Sequence, residues 1–118
     1  MTFNWYEYLL LAQHLNTTDA FHYPEALQRS AVSRAYYAAF CSAKEHAELK
    51  TKKRFSSGPD AHREVRAYFR KNHRDNISDN LNDLRILRNG CDYQNEVKNL
   101  HIIVKTAIQL AEGIISDL

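Results

Sequence analysis

The chain has few residues that interrupt helices: 3 glycines and 2 prolines among 118 residues. In a helix interior glycine costs about 1 kcal/mol and proline about 3, so long stretches free of both favour helix. Three glycines are too few to build a phosphate-cradling loop, which excludes P-loop and dinucleotide-binding turns. Only two cysteines are present, Cys41 and Cys91, with no CxxC pair. They make no disulfide framework and read as structural thiols. No stretch approaches the roughly 18 apolar residues of a membrane span. The start, Met1 to Glu7, lacks the basic segment and small-residue cleavage site of a signal peptide, so the expected location is cytoplasmic. The six histidines, His14, His22, His46, His62, His73 and His101, never stand three or four apart, and His62 is followed by Arg63-Glu64, which fails the HExxH pattern. No metal and no cofactor is expected.

What remains is a sequence of ordinary globular composition, 44% hydrophobic and 25% charged. Its length suits one domain spanning residues 1–118, in which about two thirds of the unfolded surface can be buried. Trp5, Tyr8, Leu9, Ala12 and Leu15 lie at helical spacing and predict a short helix from Phe3 to Leu15, followed by a linker from Asn16 to Tyr23. Pro24 suits the first turn of a second helix reaching Leu49, whose Ala31, Ala35, Ala38, Ala39 and Ala43 form a small-residue seam. Lys50 to Gly58 reads as a loop, and Pro59-Asp60 opens a polar third helix with Val65, Tyr68 and Phe69 on its apolar side. Asn72 to Ser78 interrupts the pattern. Asp79 is the expected cap of a fourth helix carrying Leu81, Leu84 and Leu87, ended or locally broken at Asn89-Gly90. Asn95 is the expected cap of a last helix with a broad apolar stripe from Val97 to Leu118. The fold class is all-α: an up-and-down bundle of four main helices plus a short N-terminal one.

The net charge of +2 is unevenly spread: residues 44–76 hold ten Lys/Arg against five Asp/Glu. Lys52, Lys53 and Arg54, in the run Lys50-Thr-Lys-Lys-Arg-Phe, read either as a solvated loop or as a phosphate-facing surface. Two further charged features fall on helices. Arg34 stands among apolar neighbours and calls for an acceptor, for which Asp92 is the candidate in a bridge tying the second helix to the end of the fourth. Arg85 and Arg88, three apart, either hold a phosphate or pair with Asp83 or Asp92.

The run Arg29-Ser-Ala-Val-Ser-Arg-Ala-Tyr-Tyr-Ala-Ala-Phe-Cys-Ser-Ala-Lys, with Leu84-Arg-Ile-Leu-Arg-Asn-Gly-Cys-Asp-Tyr after it, resembles the HEPN superfamily (higher eukaryotes and prokaryotes nucleotide-binding). The resemblance covers roughly residues 4–118 and looks closest to small bacterial and archaeal members that stand alone or are encoded beside a minimal nucleotidyltransferase. It implies a helical bundle, commonly a homodimer, and in many members a metal-independent ribonuclease with an Arg, a polar residue and then a His in the dimer cleft. Arg88 and Asn89 match the beginning of that motif, and Tyr93 stands where the histidine is expected. A phenol titrating near 10 is a poor base at neutral pH beside an imidazole titrating near 6.5. His101, early in the last helix, is a further candidate to face the same cleft. A literal Arg-x6-His at Arg66 to His73 lies in the wrong helix for the family and is followed by Ala67 rather than a polar residue.

The expectation is therefore a dimeric interaction and nucleic-acid-associated module, partner of a minimal nucleotidyltransferase in a toxin-antitoxin-type system or of an RNA, with an incomplete ribonuclease motif. The alternative is a ribonuclease toxin in which Arg88 stabilises charge on phosphate and Tyr93 or His101 moves the proton.

Overall fold

The computed structural model describes residues 2–17 and 24–118; residues 18–23, which include His22 and all of the expected linker after Thr17, lie outside them. The described residues form five helices and no strand: α1 (Tyr6–Thr17), α2 (Pro24–Thr51), α3 (Asp60–Lys71), α4 (Asp75–Tyr93) and α5 (Leu100–Asp117). The bundle is organised around α2, which packs against all four other helices. Its alanine seam explains why: Ala31, Ala35, Ala38, Ala39, Ala43 and Ala47 are fully buried, and side chains this small let neighbouring backbones approach closely. The larger core side chains, Leu9, Tyr36, Val65, Phe69, Ile77, Leu84, Val104 and Ile114, come from all five helices. No helix among the described residues is long and apolar enough to cross a membrane.

Helix α1 starts at Tyr6 rather than Phe3 and runs on through Asn16 and Thr17, and α2 reaches Thr51; three boundaries of α4 and α5 differ from the sequence reading for local reasons. Helix α4 begins at Asp75, one turn before Asp79, because Ile77 and Ser78 are already buried and the Asp79 carboxylate is taken by Arg70 at 2.6 Å. The chain reverses between α3 and α4 in only three residues, with His73 in the left-handed region at φ 61° and the Arg74 N–H donating to the Phe69 carbonyl at 2.8 Å. Arg74 also donates to the Asp117 carbonyl, fastening the start of α4 to the end of α5.

Asn89-Gly90 does not break α4, which continues to Tyr93; Gly90 keeps a negative φ and Cys91 beyond it is buried. The terminal turn is held from outside by Arg29 of α2, whose Nη1 donates to the carbonyls of Cys91 (2.9 Å) and Gln94 (2.6 Å) and whose Nη2 donates to Asn95 (3.1 Å). Those carbonyls lack helical partners, so the guanidinium acts as a C-terminal cap. Helix α5 starts after Asn99, not Asn95: Asn99 is left-handed (φ 57°) and its carbonyl accepts from Ile102 at 3.0 Å.

Candidate nucleic-acid interface

One face of α2, the loop after it, the start of α3 and the last turns of α4 enclose an open cleft of about 1520 Å³. That exceeds the roughly 300–1,000 Å³ of small-molecule sites. Lys52, Lys53, Arg54, Arg85, Arg88, Asn89 and Tyr93, seven of the residues singled out from sequence, all line it. His101 does not; it is exposed at the first turn of α5.

The basic loop is aimed by its own chemistry. Lys52 takes a left-handed conformation (φ 56°) that ends α2. The Glu48 carboxylate then accepts the Phe55 N–H at 2.9 Å, and Glu64 of α3 accepts both the N–H and the hydroxyl of Ser56 at 2.9 and 2.7 Å. The Ser56 bonds hold the Glu64 carboxyl below its usual range, and together with the Phe55 bond they pin the chain just after the basic side chains.

Arg88 is pre-set by three neighbours. Nη1 donates to Asn89 Oδ1 at 2.9 Å, Nη2 donates to the Tyr37 hydroxyl at 2.7 Å, and Nε lies 2.9 Å from Asp92 Oδ2. The last contact is an ion pair at an angle that leaves the buried Nε–H without an aligned hydrogen bond. A guanidinium carries five N–H donors, so one on each terminal nitrogen remains for a ligand. The rings of Tyr36, Tyr37 and Tyr93 pack around its Cζ at 5.6, 5.1 and 5.7 Å.

The expected bridge from Arg34 to Asp92 is not formed. Asp92 sits one turn after Arg88 on the same helix and is also approached by the Ser33 hydroxyl at 3.5 Å. Arg34 instead lies over the rings of Tyr8 and Tyr37, 4.8 and 5.3 Å from their centroids. Two aromatic faces supply the electron-rich partner that the sequence reading assigned to a carboxylate.

Arg85 has no hydrogen-bond or ion-pair partner among the described residues, and its Nε is buried. It is not paired with Asp83. Around it the cleft is lined by cations from three sources, Lys44 on α2, the loop Lys52, Lys53 and Arg54, and Arg88 on α4, against the carboxylates of Glu45 and Glu48.

Sequence reasoning passed over His62, which also lines the cleft. Its Nδ1 is hydrogen-bonded to the Tyr36 hydroxyl and its ring stacks on Phe40 with centroids 4.3 Å apart. Burial, reinforced by Arg85, Arg88, Arg66 and Lys44, lowers its pKa to about 4. Burial also pushes the Tyr36 hydroxyl well above its usual value, so it stays protonated. The available signal was position: His62 stands three residues before Val65 and seven before Phe69, on the buried stripe of α3.

The same cleft carries Cys41, whose thiol burial pushes up to about 11, which makes it a poor nucleophile. No cluster of three or more His, Cys, Asp or Glu fit to hold a metal is found among the described residues. At the rim, Phe3 and Trp5 present a small aromatic cluster with ring centroids 4.9 Å apart. Compared with protein-family models, curated proteins and solved structures, the chain matches none. The reading of its function rests on the cleft itself.

Proposed function

We propose that this protein is a HEPN-like module that binds single-stranded nucleic acid, RNA in the first instance, along the cleft between α2, α3 and α4. The observation that carries the reading is Arg85, a partly buried guanidinium with no anion partner among the described residues, set in a cleft whose charged lining is six Lys/Arg against two carboxylates. Leaving such a charge unpaired is costly, and a phosphate from outside supplies the missing anion. Exposed rings at the rim, Phe3 and the 74% exposed Tyr93, offer faces for bases to stack on, and stacking with a basic track is how single strands are held without sequence readout. In the same reading the functional unit is a homodimer, with a minimal nucleotidyltransferase as a further partner. Supporting the dimer are Tyr6, Leu10 and Leu11 of α1, large apolar side chains left exposed; the nucleotidyltransferase rests on the family resemblance.

The test is fluorescence anisotropy with a single-stranded RNA across salt concentrations. A strand engaging three to five phosphates gives a slope of about −2 to −4 in log K against log salt, since each neutralised phosphate contributes ~0.7. Arg85→Gln should weaken binding at least tenfold. Salt-independent binding, or none at 50 mM salt, contradicts the proposal.

A ribonuclease is the second reading, favoured by the presence of an imidazole, His62, in the same cleft as Arg88. Geometry ranks it below binding. When the Tyr36 hydroxyl donates to Nδ1, the hydrogen of the neutral ring lies on Nε2, and that atom is then a donor rather than the base a ribose hydroxyl needs. RNA cleavage by the purified protein that disappears in Arg88→Ala would reverse the ranking.

A further inference from the structure

The polar atoms of His62 are unevenly used. Nδ1 is occupied by Tyr36, while Nε2 has no partner among the described residues and belongs to a ring that lines the cleft. The charges acting on that ring are all positive: Lys44 from α2, Arg66 from its own α3, and Arg85 and Arg88 from α4. Tyr36 is the titratable group in direct contact, and no carboxylate contributes. Phe40 covers one face of the imidazole and so limits its access to water.

Burial first and those cations second keep the ring neutral, and an anion that neutralises the cations removes their share of the effect. A phosphodiester carries one negative charge, and an opposite charge within about 4–6 Å of an ionisable group favours its charged form by about 1–3 pKa units. We propose that Arg85, Arg88 and Nε2 of His62 form a seat for one phosphodiester group of the bound strand, and that His62 takes up a proton as the phosphate is seated. The proposal rests on the nucleic-acid reading of the cleft and names which of its groups meet the phosphate.

The chemistry is consistent at each atom. The spare N–H of each Arg88 terminal nitrogen and the unpaired Arg85 donate to the phosphate oxygens. Nε2–H donates in both protonation states, so the seat works with the neutral ring and tightens with the charged one. The added proton lodges on Nδ1, which then donates to Tyr36; a phenol hydroxyl can accept as well as donate, so the pair survives by rotation of one O–H. Because binding and protonation are linked, the factor by which phosphate favours the imidazolium equals the factor by which protonation favours phosphate.

The experiment uses the full chain and the dinucleoside monophosphate UpU, whose single phosphodiester does not titrate near neutral pH. Nitrogen-15 NMR of the imidazoles follows His62 free and saturated with UpU, and calorimetry follows affinity from pH 7.5 to about 4, the range that spans the free and bound values. The expected results are a free ring protonated on Nε2, an upward pKa displacement of at least 1 unit on binding, and an affinity that rises by up to tenfold per unit fall in pH between the bound and free values. His62→Gln keeps an N–H donor but cannot charge; its affinity for UpU should no longer depend on pH in this range. A methylphosphonate analogue of UpU, uncharged, should leave His62 unmoved. Saturable UpU binding with an unmoved His62, or an unchanged pH dependence in His62→Gln, overturns the seat while leaving nucleic-acid binding standing. If UpU does not bind but a longer RNA does with the expected salt slope, the seat is again refuted. If neither binds, the cleft reading itself falls.

Discussion

Arg29 Nη1 stands 2.9 Å from the carbonyl oxygen of Cys91, 62 residues further along the chain, and with the bonds to Gln94 and Asn95 it closes the last turn of α4. The turn it closes presents Arg88, Asn89 and Tyr93 to the cleft. Hydrogen bonds from a charged donor are worth about 1.5–3 kcal/mol each but do not add fully. Arg29→Met should destabilise the fold by about 2–3 kcal/mol and lower the melting temperature by roughly 8–15 °C, read by thermal circular dichroism. A shift below 3 °C would show that water replaces the guanidinium without loss.

Arg85 leads to the opposite expectation. It pays for desolvation and repels Arg66, whose guanidinium pKa is lowered by burial and by Arg85, without any bond in return. Replacing it with an apolar chain of similar length, Arg85→Met, should raise stability by about 0.5–1 kcal/mol while weakening RNA binding. Stability lost together with binding would mean that Arg85 supports the fold.

The depressed pKa of His62 links folding to acidity. Folded, the ring titrates near 4, below the ~6.5 of an unfolded chain, so the unfolded state binds the proton first. The contribution is complete above pH 6.5 and is lost as pH falls from 6.5 towards 4. The ring is partly open to solvent, so the loss is on the order of 1–2 kcal/mol rather than the full conversion of the shift. Urea melts of the wild type and His62→Gln should diverge across that window. Parallel curves would exclude His62 as the source.

Asp92 neutralises Arg88 from the side, with side chains 26% and 13% exposed. Asp92→Asn removes the charge but retains the shape, and should cost about 1–2 kcal/mol while tightening RNA binding by raising the net charge beside the cleft. Weaker binding would show that orientation of Arg88 outweighs its charge.

The all-α fold and its order of helices were legible because periodicity reports which face is apolar, and the alanine seam of α2 is visible in residues 31–43 without any structure. The boundaries of α4 were not. Gly90 reads locally as a stop, but the bonds that carry the helix past it come from Arg29, whose proximity exists only after α2 and α4 have packed. The partner of Arg34 failed for a similar reason: a carboxylate was sought along the chain, and the structure supplies the faces of Tyr8 and Tyr37. The loop cations, Arg85 and Arg88 were found because charge marks them, whereas Asn89 and Tyr93 were singled out through the motif resemblance. His62 escaped because a single histidine on a buried stripe has no spacing partner, and its role arises from three helices meeting.

The alanines of α2 set a dimension that no cleft residue controls. A methyl group is the entire side chain at Ala35, Ala39 and Ala43, so neighbouring helices can approach α2 closely along this seam. Enlarging any of them pushes a neighbouring helix outward, and because α4 also packs on α5, the displacement is passed to the helix that carries Arg85 and Arg88. The gauge of the groove, and with it the kind of strand that can enter, is thus written in residues that never touch what it holds.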